Sequence, residues 1–297
     1  MPATLNIDAR TLAAIDDLSL LAGTIVEGFI SGLHRSPFLG YSTEFSAYRA
    51  YTQGDNLRYV DWKVWGRSDE WYVKQFEDDT NLRCQIFLDT SASMNFGAGD
   101  ANKFHYGRVL AAVLAEVMVR QHDAPGLILF GETARQAVPM HASRHHAEEI
   151  FQLLAQAEAR GGTRVDQMLF RLLETMTRRG MAVVISDFFT TDEAARQLLR
   201  QLQAQNQEVI VFHVLAPEEL DLPYEGESIF LDLESAEQIP VHTDDFRREY
   251  QRRLQEFCDG LKRECVSLEI DYQLVRTDAP LDLALIQYLE RRAAASP

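Results

Sequence analysis

Two short apolar runs constrain the fold of this chain more than any other feature of its sequence. Residues 82–88 (LRCQIFL) and 181–185 (MAVVI) lack the strict alternation of polar and apolar side chains that marks a half-buried strand. Strands that are apolar on both faces are typical of parallel sheets with helices on both sides. The two runs therefore predict an α/β protein whose central strands are buried and parallel.

Helical and strand patterns alternate through the rest of the chain, which favours a doubly wound, mostly parallel sheet. A short strand at 134–138 is predicted to return antiparallel at the sheet edge. Nearer the N-terminus we predict a helix at 8–33, a strand at 45–51, and a hairpin formed by 71–76 and 82–88. The further predicted helices are 103–121, 144–159, 165–178, 193–205 and 244–263, and the further strands are 127–130, 208–214 and 267–275. We thus expect an N-terminal helical and hairpin extension, residues 1–80, packed on a core of residues 81–297.

Composition narrows the classes of function. The net charge of −16 opposes binding to nucleic acid or to anionic membranes, since phosphate contacts need clustered Lys and Arg. The longest apolar stretch, 18–30, is too short and too interrupted for direct membrane insertion, and no signal-peptide pattern begins the chain. Cys84, Cys258 and Cys265 lack the spacing of metal ligands and are expected to be reduced. We therefore expect a cytoplasmic protein.

Five oxygen-bearing side chains follow the predicted strands. Asp89, Ser91 and Ser93 come directly after the run 82–88, Thr163 lies in Gly-Gly-Thr, and Asp187 follows the run 181–185. Loops at the carboxyl ends of parallel strands meet at one edge of the sheet, where doubly wound folds bind ligands. Hydroxyl and carboxylate oxygens suit Mg²⁺, although Mn²⁺ or Ca²⁺ would also accept them. We predict a divalent-cation site at this edge, against the alternative that these residues are only caps and turn formers.

The pattern Asp-x-Ser-x-Ser, then Thr, then Asp resembles the metal-ion-dependent adhesion site of von Willebrand factor A domains, and all five positions match. The resemblance implies a doubly wound sheet of von Willebrand factor A type with the ion at its carboxyl edge. It also implies that an Asp or Glu of a partner protein completes the coordination of the ion.

A second resemblance covers the preceding segment. The motif Gly54-Asp55-x-x-Arg58-x-x-Asp61-Trp62-Lys63, with Arg67 and a later Lys103, is similar to the bacterial family called domain of unknown function 58. This resemblance implies a MoxR-type AAA-plus ATPase as partner, in the assembly or maturation of other proteins. Asp55, Arg58, Asp61, Trp62 and Arg67 are predicted either to bind a partner or, more simply, to form a network that holds the extension on the core.

These residues favour a non-enzymatic binding module that captures its protein partner through the metal ion. Two other functions are possible alternatives. A magnesium-dependent phosphatase would need an acid two residues after Asp89, and Ser91 occupies that position. A scaffold that binds through its N-terminal extension without metal is the other alternative. His141, His145 and His146 have no companion ligands for zinc, and His213, inside an apolar run, is expected to be a hydrogen-bonded core histidine.

Overall fold

The computed structural model describes residues 18–33, 47–50, 72–75, 82–131, 136–162, 176, 179–189, 192–231, 233, 238–281, 284–286 and 288–290. The helices are α1 (Leu18–Leu33), α2 (Lys103–Arg120), α3 (Arg144–Gln156), α4 (Asp192–Ala204), α5 (Pro217–Asp221) and α6 (Thr243–Ser267). The strands are β1 (Ala47–Ala50), β2 (Tyr72–Gln75), β3 (Arg83–Asp89), β4 (Ala124–Phe130), β5 (Ala137–Val138), β6 (Met181–Ser186), β7 (Glu208–Leu215), β8 (Glu227–Leu231), β9 (Gln238–His242) and β10 (Asp271–Arg276). Two short 3₁₀ helices, Ala92–Asn95 and Gly99–Ala101, lie between β3 and α2.

The main sheet has the strand order β10-β7-β6-β3-β4-β5. Its pairs are parallel except for β5, which runs antiparallel to β4. Numbered along the chain, these strands stand in the order 3-2-1-4-5-6, which is the doubly wound arrangement. The predicted fold class is therefore confirmed, including the antiparallel edge strand. The order reverses between β3 and β6, and in such sheets ligands bind in the crevice at that point.

Burial of both faces explains why the central strands have apolar sequences. Every residue of β4 and of β6 is buried, and so is every residue of β3 except the first. Helix α2 covers one face closely: a Cβ built on Gly107 would lie 3.0 Å from Leu88 Cδ1. This close approach fixes the start of α2 beside the carboxyl ends of β3 and β6, which is where the candidate site lies.

The N-terminal segment contributes elements to two compact units. Helix α1 groups with the unit that contains the main sheet, and β1 and β2 belong to the second unit, residues 33–80. There β2 pairs antiparallel with β1. The predicted hairpin between 71–76 and 82–88 is wrong, because β3 pairs with β4 on one side and β6 on the other and has no free edge. The packing of residues 1–80 on the core as one extension stays a prediction.

The C-terminal part differs from its prediction in two elements. A hairpin of β8 and β9 follows α5, and helix α6 continues to Ser267, so that β10 begins only at Asp271. The predicted helix at 165–178 lies almost entirely outside the described residues. Cys84, Cys258 and Cys265 are buried, free cysteines, as expected. Within the described ranges, no helix has the length and apolar character to cross a bilayer.

Candidate functional site

Asp89 links the ends of the two strands at which the sheet order reverses. Its side chain is buried at the end of β3. Asp89 Oδ1 accepts a hydrogen bond from the Ser91 backbone N–H at 2.9 Å, and Oδ2 accepts one from Ser186 Oγ at 2.6 Å. Ser186 Oγ in turn accepts from the Phe188 backbone N–H at 2.9 Å. Asp89 therefore orients the loop that carries Ser91 and ties it to the end of β6.

Ser91 and Ser93 bring two hydroxyl oxygens together. Ser91 Oγ lies 3.0 Å from Ser93 Oγ; Ser91 is buried and Ser93 is half-buried. The 3₁₀ helix Ala92–Asn95 creates this pairing, and the buried Met94 side chain anchors it to the core. The Ala92 backbone N–H also donates to the Gly161 carbonyl at 2.8 Å. This bond joins the serine loop to the chain just before Thr163, the third predicted hydroxyl ligand.

These residues fit a hard divalent cation. Neighbouring ligands of an octahedral Mg²⁺ lie about 3 Å apart, which matches the separation of the two serine oxygens. Burial, and then the nearby charge of Asp187, raise the pKa of Asp89 to about 7. A buried carboxylate beside a second one gains stability from a cation close by. The donor set and the charge thus both suit a metal ion held by Ser91 and Ser93, with Asp89 behind them.

Asp187 has protein partners for both of its carboxylate oxygens. Oδ2 accepts from Lys103 Nζ at 2.7 Å, and Oδ1 accepts from the Phe189 backbone N–H at 3.0 Å. The structure therefore places Asp187 near Asp89 but engages it in an ion pair. Its assignment to the metal site stays a prediction, in the supporting role of charge and orientation. Thr163 lies outside the described residues, and its role stays a prediction as well.

Lys103 is the main residue of this region to which the sequence assigned no role. It is the first residue of α2, and it is fully buried. Besides Asp187, Nζ donates to Glu219 Oε1 at 2.6 Å, and it lies 4.7 Å from the centre of the Phe189 ring. Glu219 Oε2 accepts from the Ala216 backbone N–H at 2.8 Å. One ammonium thus compensates two buried carboxylates.

A sequence signal for this role exists. The first turn of a helix disfavours cations because the N-terminal end of the helix dipole is positive. Lys103 occupies this position in α2, whose first turn contains no Asp or Glu that could compensate its charge. A lysine so placed indicates a compensating anion, although the pattern does not say which acid provides it.

His213 contacts the backbone of Asp187 and is a hydrogen-bonded core histidine, as predicted. Its Nε2 lies 2.9 Å from the Asp187 carbonyl oxygen, and its Nδ1 lies 2.7 Å from Tyr272 Oη. A carbonyl can only accept, so Nε2 carries the hydrogen and Tyr272 donates to Nδ1. Both nitrogens of the neutral imidazole thus have a partner, and burial disfavours the charged form and lowers the pKa of His213 to about 4.

This shift predicts a pH dependence of stability. The unfolded chain protonates His213 near its ordinary pKa of 6.5, whereas the folded protein does so only near 4. Between these values the unfolded state binds more protons, so acidification destabilises the fold by on the order of 3 kcal/mol through this group. Asp89, whose pKa is raised, contributes the opposite slope. We therefore expect the stability advantage of wild type over His213→Gln to shrink by that amount from pH 6.5 to pH 4.

Urea denaturation at a series of pH values measures this difference. His145→Gln, which removes an exposed histidine from α3, is the control. An advantage of wild type over His213→Gln that stays constant across the range would contradict the prediction.

The histidines considered as zinc ligands do not form a metal site within the described residues. The histidine rings of His141 and His146 lie 5.6 Å apart, and His146 Nδ1 lies 3.3 Å from Glu149 Oε2. Over the described ranges, no three His, Cys, Asp or Glu side chains form a cluster suited to a metal. The predicted network or partner surface, Asp55, Arg58, Asp61, Trp62 and Arg67, lies outside the described residues.

Comparison with known proteins relates the chain to one family and to several solved structures. A family model described as "Protein of unknown function DUF58" matches residues 47–257. The uncharacterized protein Rv1480 of Mycobacterium tuberculosis is 30% identical over 249 residues, covering 81% of this chain and 78% of that protein.

Two solved structures are similar at low identity. Conserved hypothetical protein BatB of Bacteroides thetaiotaomicron has a TM-score of 0.48 and 17% identity, covering 72% of this chain and 99% of that one. The SpRpn10 VWA domain has a TM-score of 0.40 and 14% identity, covering 70% and 95%. The fold assignment stands on the strand order itself.

Proposed function

This chain belongs to the DUF58 family, and we propose that it is a non-enzymatic protein-interaction module that binds an acidic residue of its partner through a divalent cation. The observation that carries the proposal is the pair of serine hydroxyls, 3.0 Å apart, at the point where the order of the sheet reverses. Ser91 and Ser93 would hold the ion, together with Thr163, whose role as a ligand is predicted from the sequence. Mg²⁺ is the cation that we favour over Mn²⁺ and Ca²⁺.

The role of each side chain follows from its contacts. A bound ion supplies positive charge that attracts a carboxylate from outside. Asp89 holds the serine loop in place by accepting from the Ser91 N–H and from Ser186 Oγ. Lys103 neutralises the charge of Asp187 and so limits the repulsion that an incoming carboxylate would meet. Neutral hydroxyl ligands leave the ion with most of its charge, and a partner's Asp or Glu is then its natural further ligand.

The proposal involves no bond-breaking step. Ser91 stands where a phosphatase of the haloacid dehalogenase type needs a general acid, and a serine hydroxyl is too weak an acid for that task. Asp89 Oδ1 and Oδ2 both accept hydrogen bonds within the protein. We therefore favour binding over turnover at this site. A cytoplasmic location stays a prediction.

The proposed partner is a MoxR-type AAA-plus ATPase, which rests on the family resemblance. Affinity capture from native lysate, with Mg²⁺ or with a chelator, tests the partner and the metal together. Wild type, Ser93→Ala and the control Ser267→Ala serve as baits; Ser267 lies at the far end of α6, where its Oγ donates to the Glu264 carbonyl.

We expect the ATPase to be recovered by wild type and by Ser267→Ala, only when Mg²⁺ is present, and not by Ser93→Ala. Recovery that persists in chelator and with Ser93→Ala would refute the metal-dependent mechanism.

A further inference from the structure

A cleft beside the serine loop has a volume of about 460 Å³. One wall is formed by Asn95 and Asn102, which lie between β3 and α2. Helix α2 provides His105 and Arg108, and the segment 157–160 closes the other side. The cleft and the candidate metal centre share one segment of the chain: Asn95, which lines the cleft, is two residues after Ser93.

Backbone hydrogen bonds join the segment 160–161 to the serine loop, and asparagine side-chain bonds hold the other wall together. The Arg160 N–H donates to the Thr90 carbonyl at 2.9 Å, and the Ala92 N–H donates to the Gly161 carbonyl at 2.8 Å. Asn102 Oδ1 accepts from the His105 N–H at 3.0 Å, and Asn102 Nδ2 donates to Asn95 Oδ1 at 3.1 Å. The cleft is thus built from the same segments that position the predicted metal ligands.

Arg108 gives this cleft its chemistry. Its guanidinium carbon lies 5.2 Å from the centre of the Phe104 ring, so the ring supports the guanidinium group. Burial lowers the pKa of Arg108. Its hydrogen bonds to the protein are long: Nη1 donates to the Leu154 carbonyl at 3.5 Å, and Nη2 lies 3.4 Å from His105 Nδ1.

The donors of Arg108 are poorly satisfied inside the protein. Its Nε is buried and donates no hydrogen bond to the described residues, none of which places a carboxylate within salt-bridge distance of the guanidinium. Leaving a buried charged donor without an acceptor costs free energy that a bound anion would recover. A guanidinium with several free donors favours a planar carboxylate, which it can bind through two parallel hydrogen bonds.

The remaining charges at the cleft do not cancel that of Arg108. Glu158 and Arg160 form an ion pair with each other at the mouth of the cleft. Asn95 and Asn102 are neutral and are hydrogen-bonded to one another. The cleft therefore carries a net positive charge from Arg108 on a chain whose overall charge is −16.

We infer that this cleft binds a second carboxylate of the same acidic peptide whose first carboxylate ligates the metal at Ser91 and Ser93. The inference rests on the proposed function for the first carboxylate and adds the chemistry of the partner: a segment with two acidic residues close together. Arg108 binds the second acid through its guanidinium, and the spacing between the two acids sets the specificity of the site.

Synthetic peptides test this inference on the full-length protein. The probes are labelled glycine–serine octapeptides with one glutamate, or with two glutamates separated by one, two or three residues, in saturating Mg²⁺. We expect one of the two-glutamate peptides to bind at least about tenfold more tightly than the one-glutamate peptide, as for a charge-assisted hydrogen bond. Arg108→Met should remove that advantage and leave the affinity for the one-glutamate peptide unchanged.

Two further variants separate charge from geometry. Arg108→Lys keeps the positive charge but loses the planar fork, so most of the tenfold advantage should still be lost. Arg200→Met removes an exposed arginine of α4 and should change nothing. Free glutarate should bind no better than the one-glutamate peptide; equal affinity for glutarate and for the best peptide would overturn the assignment to a peptide.

A spectroscopic measurement covers the case in which a variant folds poorly. The Arg108 Nε–H resonance of the wild-type protein, assigned through its correlations to the backbone of the same residue, should shift on addition of the best two-glutamate peptide. It should not shift with the one-glutamate peptide.

The possible failures are distinguishable. If the two-glutamate peptides bind in a Mg²⁺-dependent manner but without the advantage that depends on Arg108, the inference fails and the proposed function stands. If no peptide binds and calorimetry detects no Mg²⁺, both fail.

Discussion

Replacing Lys103 with methionine is expected to lower the free energy of unfolding by about 3–5 kcal/mol. The ammonium of Lys103 lies 2.7 Å from Asp187 Oδ2 and 2.6 Å from Glu219 Oε1, and all three side chains are buried. Methionine preserves the apolar stem but leaves two buried carboxylates without their cation. Their uncompensated charge is what makes the loss larger than that of an ordinary ion pair. Urea denaturation, with unchanged m-values, measures the difference.

An exposed ion pair of the same protein provides the matched control. Arg200 and Glu264 form an ion pair at 3.2 Å, in which the arginine side chain is 55% exposed. Arg200→Met should therefore cost about 1 kcal/mol or less. In Lys103→Met, the further change Glu219→Gln should recover part of the loss, because it removes one of the two unpaired charges. A cost of Lys103→Met no greater than that of the control would contradict the role assigned to Lys103.

Replacing Ser93 with alanine is expected to weaken Mg²⁺ binding by about tenfold to a hundredfold, or beyond detection. Changes to groups that merely orient metal ligands cost this much, and the proposed function makes Ser93 a direct ligand. The described contact of its hydroxyl is with Ser91 Oγ, and the side chain is half-buried, so the fold should survive. Isothermal titration calorimetry with Mg²⁺ alone measures the effect without any partner.

The control for this change is Ser267→Ala, which removes a hydroxyl at the end of α6. It should bind Mg²⁺ as wild type does. Thermal unfolding of Ser93→Ala in chelator should stay close to that of wild type, since the change removes one half-buried hydroxyl and a single contact, with Ser91 Oγ. Equal Mg²⁺ affinity in wild type and Ser93→Ala would exclude Ser93 as a ligand.

The sequence predicted the central part of the fold well because burial there follows directly from composition. The runs 82–88 and 181–185 became β3 and β6, and Asp89 lies at the end of β3 as predicted. The parallel polarity of the strands followed from the helical patterns between them, whereas their order in the sheet comes from the structure. The pairing of β2 was wrong because a strand pattern does not identify its neighbour. The apolar run 82–88 already indicated burial on both faces, and the structure shows that both of its edges are occupied.

The charge balance of the site could not be predicted in the same way. Lys103 contacts Asp187 and Glu219, which are 84 and 116 residues away along the chain. Such pairs depend on how α2 and α5 meet the sheet, and no local pattern encodes that. His213 was predicted correctly because a histidine inside an apolar strand must find partners for both ring nitrogens. The Arg108 cleft was not predicted, because Arg108 occupies an ordinary position in an amphipathic helical pattern.

The position of Asp89 on the middle of the sheet has a mechanical consequence. Tension applied to a partner at the serine loop would be transmitted to β3, whose two neighbours, β4 and β6, run parallel to it. A force along that strand loads the hydrogen bonds of both ladders at once, side by side, rather than opening them one after another. A partner bound as proposed would therefore pull on a strand that is held along both of its edges, an arrangement that resists force applied along the strand.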